Sequence, residues 1–407
     1  MNVLQINAVY GTGSTGRTTK ELDEYLQLIG HNSYIVASET DTDKPNIYVA
    51  GNRIDKKIHA LLSRLFGIQG YFSVLSTIKT LKYISKCNPD IVHLRNLHAN
   101  YINIPMLLNY LAKKDIATVV TLHDCFIYTG KCTHYTIQGC YKWQTGCYSC
   151  PKLKADNPSW FFDRTKTMWK DKKKYFKRVP RLAVVGVSDW ITQEARQSLF
   201  KDATILQRIY NWIDLSVFYP RANCVNKYKT KESDFVVLFM SAGWDVNSQK
   251  FKDILKMSEI LGNDVKILVA GGGLDDVQLP ENIYALGYIS GTNDLAELYS
   301  SVDVYVHMSY EDTFGKVIAE AMACGTPAIV YDSTALPELV SGGCGYVVPK
   351  GDIDGVYNSI LEIRKNGKIA YSQACINKVN SSFSKEICIQ EYINLYEKLI
   401  GAVGNKK

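Results

Sequence analysis

The chain has 407 residues, 46% hydrophobic and 21% charged, an ordinary globular composition in a chain too long for one hydrophobic core, so two domains are expected. No stretch approaches 18 consecutive apolar residues, which argues against a spanning helix, and residues 1–10 lack the charged start and long apolar centre of a signal peptide, so the protein is expected to stay in the cytoplasm. The net charge of +7 divides unevenly: residues 1–215 hold 29 Lys+Arg against 17 Asp+Glu, a net of +12, and residues 216–407 hold the other 18 against 23, a net of −5.

A basic half beside an acidic half predicts that the first half meets something anionic; by charge alone, nucleic acid and a membrane surface both qualify. Residues 2–9 read as a buried strand, followed by Gly11-Thr12-Gly13-Ser14-Thr15-Gly16, a helix over 17–29 stopped by Gly30, and a strand over 33–36. That order opens a βαβ unit of a parallel sheet. The glycines fit G-x-G-x-x-G, and nearly fit a P-loop with Arg17 where lysine should stand; either would set backbone N–H groups against a phosphate. With that lysine missing and no carboxylate in 33–38, neither an ATPase nor a dinucleotide enzyme is favoured. Gly13 stays a candidate for phosphate or substrate contact, beside the plainer reading of a strand-to-helix turn.

Residues 55–86 read mostly as helix, with Ile58, Leu61, Leu62, Leu65 and Phe66 at helical spacing, either as core or as a shallow apolar contact with a membrane. Strands follow over 90–94, 117–122 and 182–187. The second ends at His123-Asp124 and the third at Ser188, and such strand ends are where open α/β sheets bind ligands. A lone strand-end histidine is more often structural. Five of the eleven cysteines fall between Cys125 and Cys150. Cys132-x7-Cys140-x6-Cys147-x2-Cys150 suits tetrahedral zinc, which would stabilise a segment poor in aliphatic residues; four reduced cysteines in an ordinary insertion is the alternative. Residues 164–181 carry nine basic residues interleaved with Met168, Trp169, Tyr175 and Phe176. Such a run is a solvated helix face, or a basic aromatic helix suited to an anionic membrane.

The alternation restarts in the second half. A strand over 235–240 ends in Ser241-Ala242-Gly243, a helix covers 250–261, and a strand over 265–270 ends in Gly271-Gly272-Gly273. A strand over 302–307, a helix over 316–324, a strand over 328–331 and a last helix over 385–400 complete it. The expected division is an N-terminal domain 1–215 with a cysteine-rich insertion 125–150, a C-terminal domain 216–384, and a helical tail 385–407. Asp312 sits in a strand-end loop and Glu320 on the following helix, with Thr313, Phe314 and Gly315 where that helix begins. N–H groups at a helix start can hold a diphosphate, and carboxylates accept hydrogen bonds from sugar and ribose hydroxyls. A capped helix with Asp near its start is the bland reading.

The stretch 309–327 resembles retaining glycosyltransferase family four, whose signature is Glu-x7-Glu. Pro89-Asp90-Ile91-Val92-His93-Leu94-Arg95-Asn96-Leu97-His98, Thr121-Leu122-His123-Asp124-Cys125, Tyr210-Asn211-Trp212-Ile213-Asp214 and Ala285-Leu286-Gly287-Tyr288 extend the resemblance over nearly the whole chain. The resemblance is to the branch that builds bacterial capsular, colanic-acid-like and exopolysaccharide repeat units. It implies an α/β GT-B fold: two facing Rossmann-like domains, the first for the acceptor and the second for a nucleoside-diphosphate sugar, with the C-terminal helix packing back on the first. It implies that Glu320 holds the ribose and that Asp312, where the family has Glu, contacts the donor sugar. Gly243, Thr313 and the backbone N–H groups of Phe314, Gly315, Lys316 and Val317 would line the donor site, with Lys250 on its phosphates and His123 reaching the sugar from across the cleft. The arginine the family places after Gly243 is Trp244 here, so that positive clamp is either absent or supplied from elsewhere, with Arg208 and Lys316 as candidates. Catalysis would need no metal, since N–H groups and Lys250 stabilise the leaving diphosphate. The acceptor implied is a glycan, generally a polyprenyl-diphosphate-linked oligosaccharide, handled at the cytoplasmic face of the inner membrane. Two rivals are a GT-B nucleotide-sugar epimerase sharing the donor site and a nucleic-acid-binding protein, for which the chain carries no motif.

Overall fold

The structure is a computed structural model that describes residues 1–221 and 234–401. The chain forms two compact units, Met1–Tyr210 joined by the chain from Ile389 on, and Asn211–Cys388.

The first unit runs β1 (Asn2–Tyr10), α1 (Gly13–Leu28), β2 (Asn32–Thr40), β3 (Ile47–Val49), α2 (Arg53–Phe66), α3 (Val74–Cys87), β4 (Ile91–Leu94), α4 (Ile104–Lys113), β5 (Ala117–Leu122), α5 (Thr165–Phe176), β6 (Leu182–Gly186), α6 (Asp189–Arg196) and β7 (Ile205–Arg208). Its sheet has the order β3-β2-β1-β4-β5-β6-β7, and every pair is parallel. β4, β5 and β6 are buried at every position, as strands covered on both faces must be. The order reverses at β1/β4, the switch point at whose strand ends such sheets bind ligands.

The stretch read as mostly helical is two helices, α2 ending at its cap Gly67 and α3 beginning at Val74. Gly67 has φ 70°, and a Cβ there would stand 2.1 Å from the Phe162 carbonyl oxygen, so no other residue fits this turn. α2 is packed opposite to its composition. It buries His59 and Ser63 and turns Ile54, Ile58, Leu61 and Phe66 to solvent. His59 is satisfied inside, with Nδ1 2.8 Å from Ser73 Oγ and Nε2 accepting from the Gly70 N–H, and burial pushes its pKa down to about 4. α3 repeats the inversion, burying Ser76, Thr77 and Thr80 and exposing Val74, Leu75 and Ile78. Of the apolar stripe, Ile58, Leu61 and Phe66 are therefore surface, and Leu62 and Leu65 are half-buried.

In α5, Met168, Trp169, Lys172 and Phe176 are buried and Tyr175 is half-buried, so the apolar and aromatic residues of the 164–181 run hold the helix to the unit. The remaining lysines make a solvated face.

The second unit runs β8 (Phe235–Gly243), α7 (Gln249–Leu261), β9 (Val265–Gly272), β10 (Ile283–Gly287), α8 (Thr292–Ser301), β11 (Val304–His307), α9 (Lys316–Ala323), β12 (Ala328–Tyr331), α10 (Leu336–Val340), β13 (Gly345–Val348), α11 (Ile353–Asn366) and α12 (Ile369–Ser382). Its parallel sheet has the order β10-β9-β8-β11-β12-β13, with the switch point at β8/β11. Ile213 N–H donates to the Phe383 carbonyl at 2.7 Å, and Lys385 Nζ pairs with Asp214 at 2.5 Å. α13 (Lys385–Gly401) then carries the chain back into the first unit. There Tyr396 Oη lies 2.7 Å from His93 Nδ1, His93 Nε2 lies 2.7 Å from Thr121 Oγ1, and Thr121 Oγ1 lies 2.9 Å from Tyr392 Oη. The C-terminal helix thus packs on the first half as expected, through a buried polar chain that reaches β4 and β5.

Candidate active site

In the second unit the chemistry gathers between the end of β11 and the start of α9. Gly315 caps α9 with φ 88°, and a Cβ there would stand 2.8 Å from Ile318 Cδ1. Asp312 Oδ1 accepts from the N–H groups of Phe314 at 3.1 Å and Gly315 at 2.9 Å, an Asx turn that starts the helix. Those two N–H groups were expected on donor phosphates; here the Asp312 carboxylate takes them. Its backbone is tied to Thr334, which accepts from Asp312 N at 3.0 Å and donates to Asp312 O at 2.7 Å.

The other carboxylate oxygen, Asp312 Oδ2, lies 3.6 Å from His307 Nε2, and His307 Nδ1 lies 2.8 Å from the buried Tyr305 hydroxyl. Burial holds that phenol well above its ordinary range, helped by the charges of Asp312 and Glu320. Glu320 is fully buried on α9, beside the buried Ala319 and Ala321. Thr313, Phe314 and Lys316 are buried too, Phe314 lying edge-on to Phe383 at 5.4 Å, while Val317 is half-buried.

Lys250, on the first turn of α7, has Nζ 3.2 Å from the Met240 carbonyl and 4.8 Å from the centre of the Trp244 ring. Burial pulls its pKa down to about 8, with Asp312 the charge that opposes the drop. Trp244 is buried, donating Nε1–H to the Ala270 carbonyl at 3.1 Å. It therefore serves as the floor under Lys250. Gly243 is exposed at the end of β8. Asp312, Glu320, Lys250 and Gly315 thus share one region, to which the structure adds His307 and Tyr305. His307 ends a strand, the same signal that picked out His123.

In the first unit, Gly13 opens α1 with φ 63°, and the Gly11 N–H closes the loop on the Gly16 carbonyl at 3.0 Å. His123 follows β5, its Nε2 3.2 Å from Arg95 Nη1. Arg95 is buried at the end of β4 and donates from the same nitrogen to Thr18 Oγ1 at 3.1 Å. Three elements at the switch point therefore converge on a buried guanidinium beside His123. Arg208, in the first unit, pairs with Asp189 at 3.1 Å and stacks over Tyr210 at 3.8 Å.

In the insertion, Cys132, Cys140, Cys147 and Cys150 line one pocket with Tyr135 and Trp143. Cys132 and Cys150 share a hydrogen bond that raises the first thiol and lowers the second. Among the described residues no three His, Cys, Asp or Glu side chains converge to hold an ion as they stand. Nor, among those residues, is any helix long and apolar enough to cross a membrane.

Comparison with known proteins bears on the family and the fold. A family model described as Glycosyltransferase Family 4 matches residues 15–217, and one described as Glycosyl transferases group 1 matches residues 234–366. A putative colanic acid biosynthesis glycosyl transferase, WcaC, of Escherichia coli is 22% identical, across 98% of this chain and 100% of its own length. Sucrose-phosphate synthase from Thermosynechococcus elongatus superposes with a TM-score of 0.71 at 17% identity, over 98% of this chain and 99% of the other. Anabaena HepE, solved in complex with UDP, superposes with a TM-score of 0.64 at 15% identity, over 98% and 100%. The fold is GT-B.

Proposed function

The chain belongs to the family 4 glycosyltransferases, and we propose that it moves a sugar, with retention and without a catalytic metal, from a nucleoside diphosphate to a glycan acceptor in bacterial surface polysaccharide assembly. The observation that carries this reading is the meeting of a desolvated cation, Lys250, with Asp312, Glu320 and the N-terminus of α9. A diphosphate leaving group needs positive charge held ready where its own charge develops, and Lys250 with the helix start supplies it. Glu320 serves the ribose hydroxyls and Asp312, seated by His307, the donor sugar. His123, with the Arg95 guanidinium beside it, is the sugar-handling residue of the first unit. Retention follows when the acceptor enters on the face the diphosphate leaves, so no protein nucleophile is required, unlike the two-carboxylate hydrolases.

The donor class is supported by the UDP bound to a GT-B neighbour, HepE, and the polysaccharide acceptor by the name of the full-length relative WcaC. A polyprenyl-diphosphate-linked acceptor lies at the cytoplasmic membrane face, and the inverted α2 and α3 suit an anionic surface there. These helices expose Ile54, Ile58, Leu61, Phe66, Leu75 and Ile78 together with Arg53, Lys57, Arg64 and Lys79. Trp160, Phe161 and Phe162, also exposed, are tied to the end of α2 by the Trp160 N–H on the Arg64 carbonyl at 2.7 Å. Apolar and aromatic residues ringed by basic ones are what an interfacial helix presents.

A thermal-shift panel of UDP-, GDP- and TDP-sugars tests the donor site, since a ligand at about 100 times its Kd stabilises by about 2.7 kcal/mol. One nucleotide raising the melting temperature above the others supports the reading, and no shift with any of them refutes it. Donor incubated without acceptor should stay unchanged; conversion to a new sugar nucleotide would mark an epimerase instead.

A further inference from the structure

The cysteine-rich insertion plays no part in the donor chemistry, yet it is built around its thiols. From the end of β5 at Leu122 to the start of α5 at Thr165 the backbone has one short turn of 3-10 helix, Lys142–Gln144. Connections longer than about 15 residues without secondary structure are uncommon in compact domains and need some other source of order. Part of that order is aromatic: Trp143 packs on Tyr128 at 5.0 Å and on Tyr135 at 5.2 Å, and Trp169 donates to the Trp143 carbonyl at 2.8 Å. The remainder is the pocket lined by four cysteines.

Three features of that pocket bear on what the sulfurs do. First, a backbone N–H group is aimed at one of them: Gly130 N–H donates to Cys147 Sγ at 3.1 Å. N–H donors favour a thiolate over a thiol, and the thiolate is the metal-binding form. Gly130 allows the approach, since a Cβ there would stand 2.9 Å from Cys147 Cβ. Second, the turn between the last two cysteines is shaped for a knuckle, with Ser149 in the left-handed region at φ 45° and the Cys150 N–H held by Asp163 at 2.7 Å. Third, two ammonium groups are buried against the cluster. Lys131 Nζ sits among the carbonyls of Lys152, Leu153 and Ala155 at 2.7–2.9 Å, and Lys172 Nζ among those of Phe126, Thr129 and Gly130.

We propose that Cys132, Cys140, Cys147 and Cys150 close around a single zinc ion that folds the insertion and so fixes the loop leaving His123. Zinc with four thiolates carries two negative charges, beside the buried Lys131 and Lys172 side chains. The thiols do not converge to ligating distance as they stand, so binding closes them by side-chain rotation about the shared pocket. Each ligand loses its proton on binding, and four protons leave for each zinc bound.

The test uses the full chain, expressed in zinc-supplemented medium with a tag free of histidine and purified under reducing conditions. Elemental analysis should find one zinc per chain. Cobalt substitution should give the visible bands and sulfur-to-metal charge transfer of a tetrahedral tetrathiolate, and X-ray absorption should find four sulfurs at about 2.3 Å. Cys132→Ser, Cys140→Ser, Cys147→Ser and Cys150→Ser should each lose most of the metal, and Cys87→Ser, buried on α3 away from the insertion, should keep it. If the serine variants fail to fold, the cobalt and absorption spectra of the wild-type chain still decide. Folded, metal-free protein whose melting temperature ignores added zinc or chelator would overturn the proposal, as would a cobalt spectrum without thiolate charge transfer, or a Cys132–Cys150 disulfide in the isolated protein.

Discussion

Replacing Lys250 by Met should make the ligand-free protein more stable and the donor complex weaker. Burial pulls the Lys250 pKa from 10.5 to about 8. At about 1.4 kcal/mol for each tenfold change in proton affinity, keeping this ammonium charged costs the fold about 3 kcal/mol at neutral pH. Methionine keeps the apolar stem but gives up the Met240 carbonyl bond and the Trp244 ring contact, which return about 2 kcal/mol. The net gain of about 1 kcal/mol should raise the melting temperature by about 2–4 °C. The sign has a pH signature. A lysine whose folded pKa lies below its unfolded value costs stability in full below the folded pKa, and the cost fades as pH rises toward the unfolded one. The advantage of Lys250→Met should therefore be full at pH 7, shrink above about pH 8 and vanish near pH 10.5. Donor binding should move the other way, weakening by about 10- to 100-fold for the loss of a charge-assisted contact. Differential scanning fluorimetry of both proteins across pH, with and without the preferred nucleotide sugar, reads all of this. A variant that melts lower at pH 7, or whose stability difference does not change with pH, would refute the reasoning.

Glu320→Gln, which keeps the volume of a fully buried side chain, should retain the fold by circular dichroism while abolishing nucleotide-dependent stabilisation; near-normal transfer would remove Glu320 from the donor site. Asp312→Asn keeps an acceptor for the Phe314 and Gly315 N–H groups but loses the charge facing His307, so kcat should fall at least tenfold with nucleotide affinity changed less, and His123→Ala should follow the same pattern. Lost affinity with unchanged turnover would place both residues elsewhere. Ile58→Glu with Leu61→Glu on the outer face of α2 should reduce co-sedimentation with anionic liposomes and leave the donor thermal shift intact. Wild-type binding should weaken with salt, each basic residue near the surface contributing about 1 kcal/mol; equal recovery on neutral vesicles would reject the docking face.

Sequence periodicity recovered the central strands and lost the edges, for one physical reason. β4, β5, β6, β11 and β12 are buried at every position and so read as apolar runs. β3, β7, β10 and β13 lie at the four sheet edges, are three to five residues long and, except for Ile283 and Val348, are at least partly exposed. They carry no run to read. The donor motif was legible because its residues are local, within 309–327. His307 and Tyr305 lay just outside it, and their link to Asp312 is made in space. The α2 stripe shows a different limit. Its spacing correctly gave a helix, but spacing cannot say which face is buried, and here His59 and Ser63 won the interior because the Ser73 hydroxyl and the Gly70 N–H were there to satisfy the ring.

The same sorting applies to charge. A net of +12 over residues 1–215 counts every cation alike, yet Arg95, Lys131 and Lys172 are each buried and contribute nothing to a surface field. Removing a cation from water is costly enough that a fold keeps one inside only where something nearby repays the cost. Arg95 is inside beside His123, Lys172 beside Cys147, Lys131 beside Cys150, and in the second unit the half-buried Lys250 faces Asp312. Each buried cation thus marks a place where sequence reasoning had proposed chemistry, and they divide the chain's positive charge between two tasks. The exposed lysines and arginines of α2 and α3 can act on a surface at a distance and should be sensitive to salt. The buried ones act on a single neighbour at short range, where screening is weak, so salt should weaken membrane recovery well before it weakens donor or metal binding.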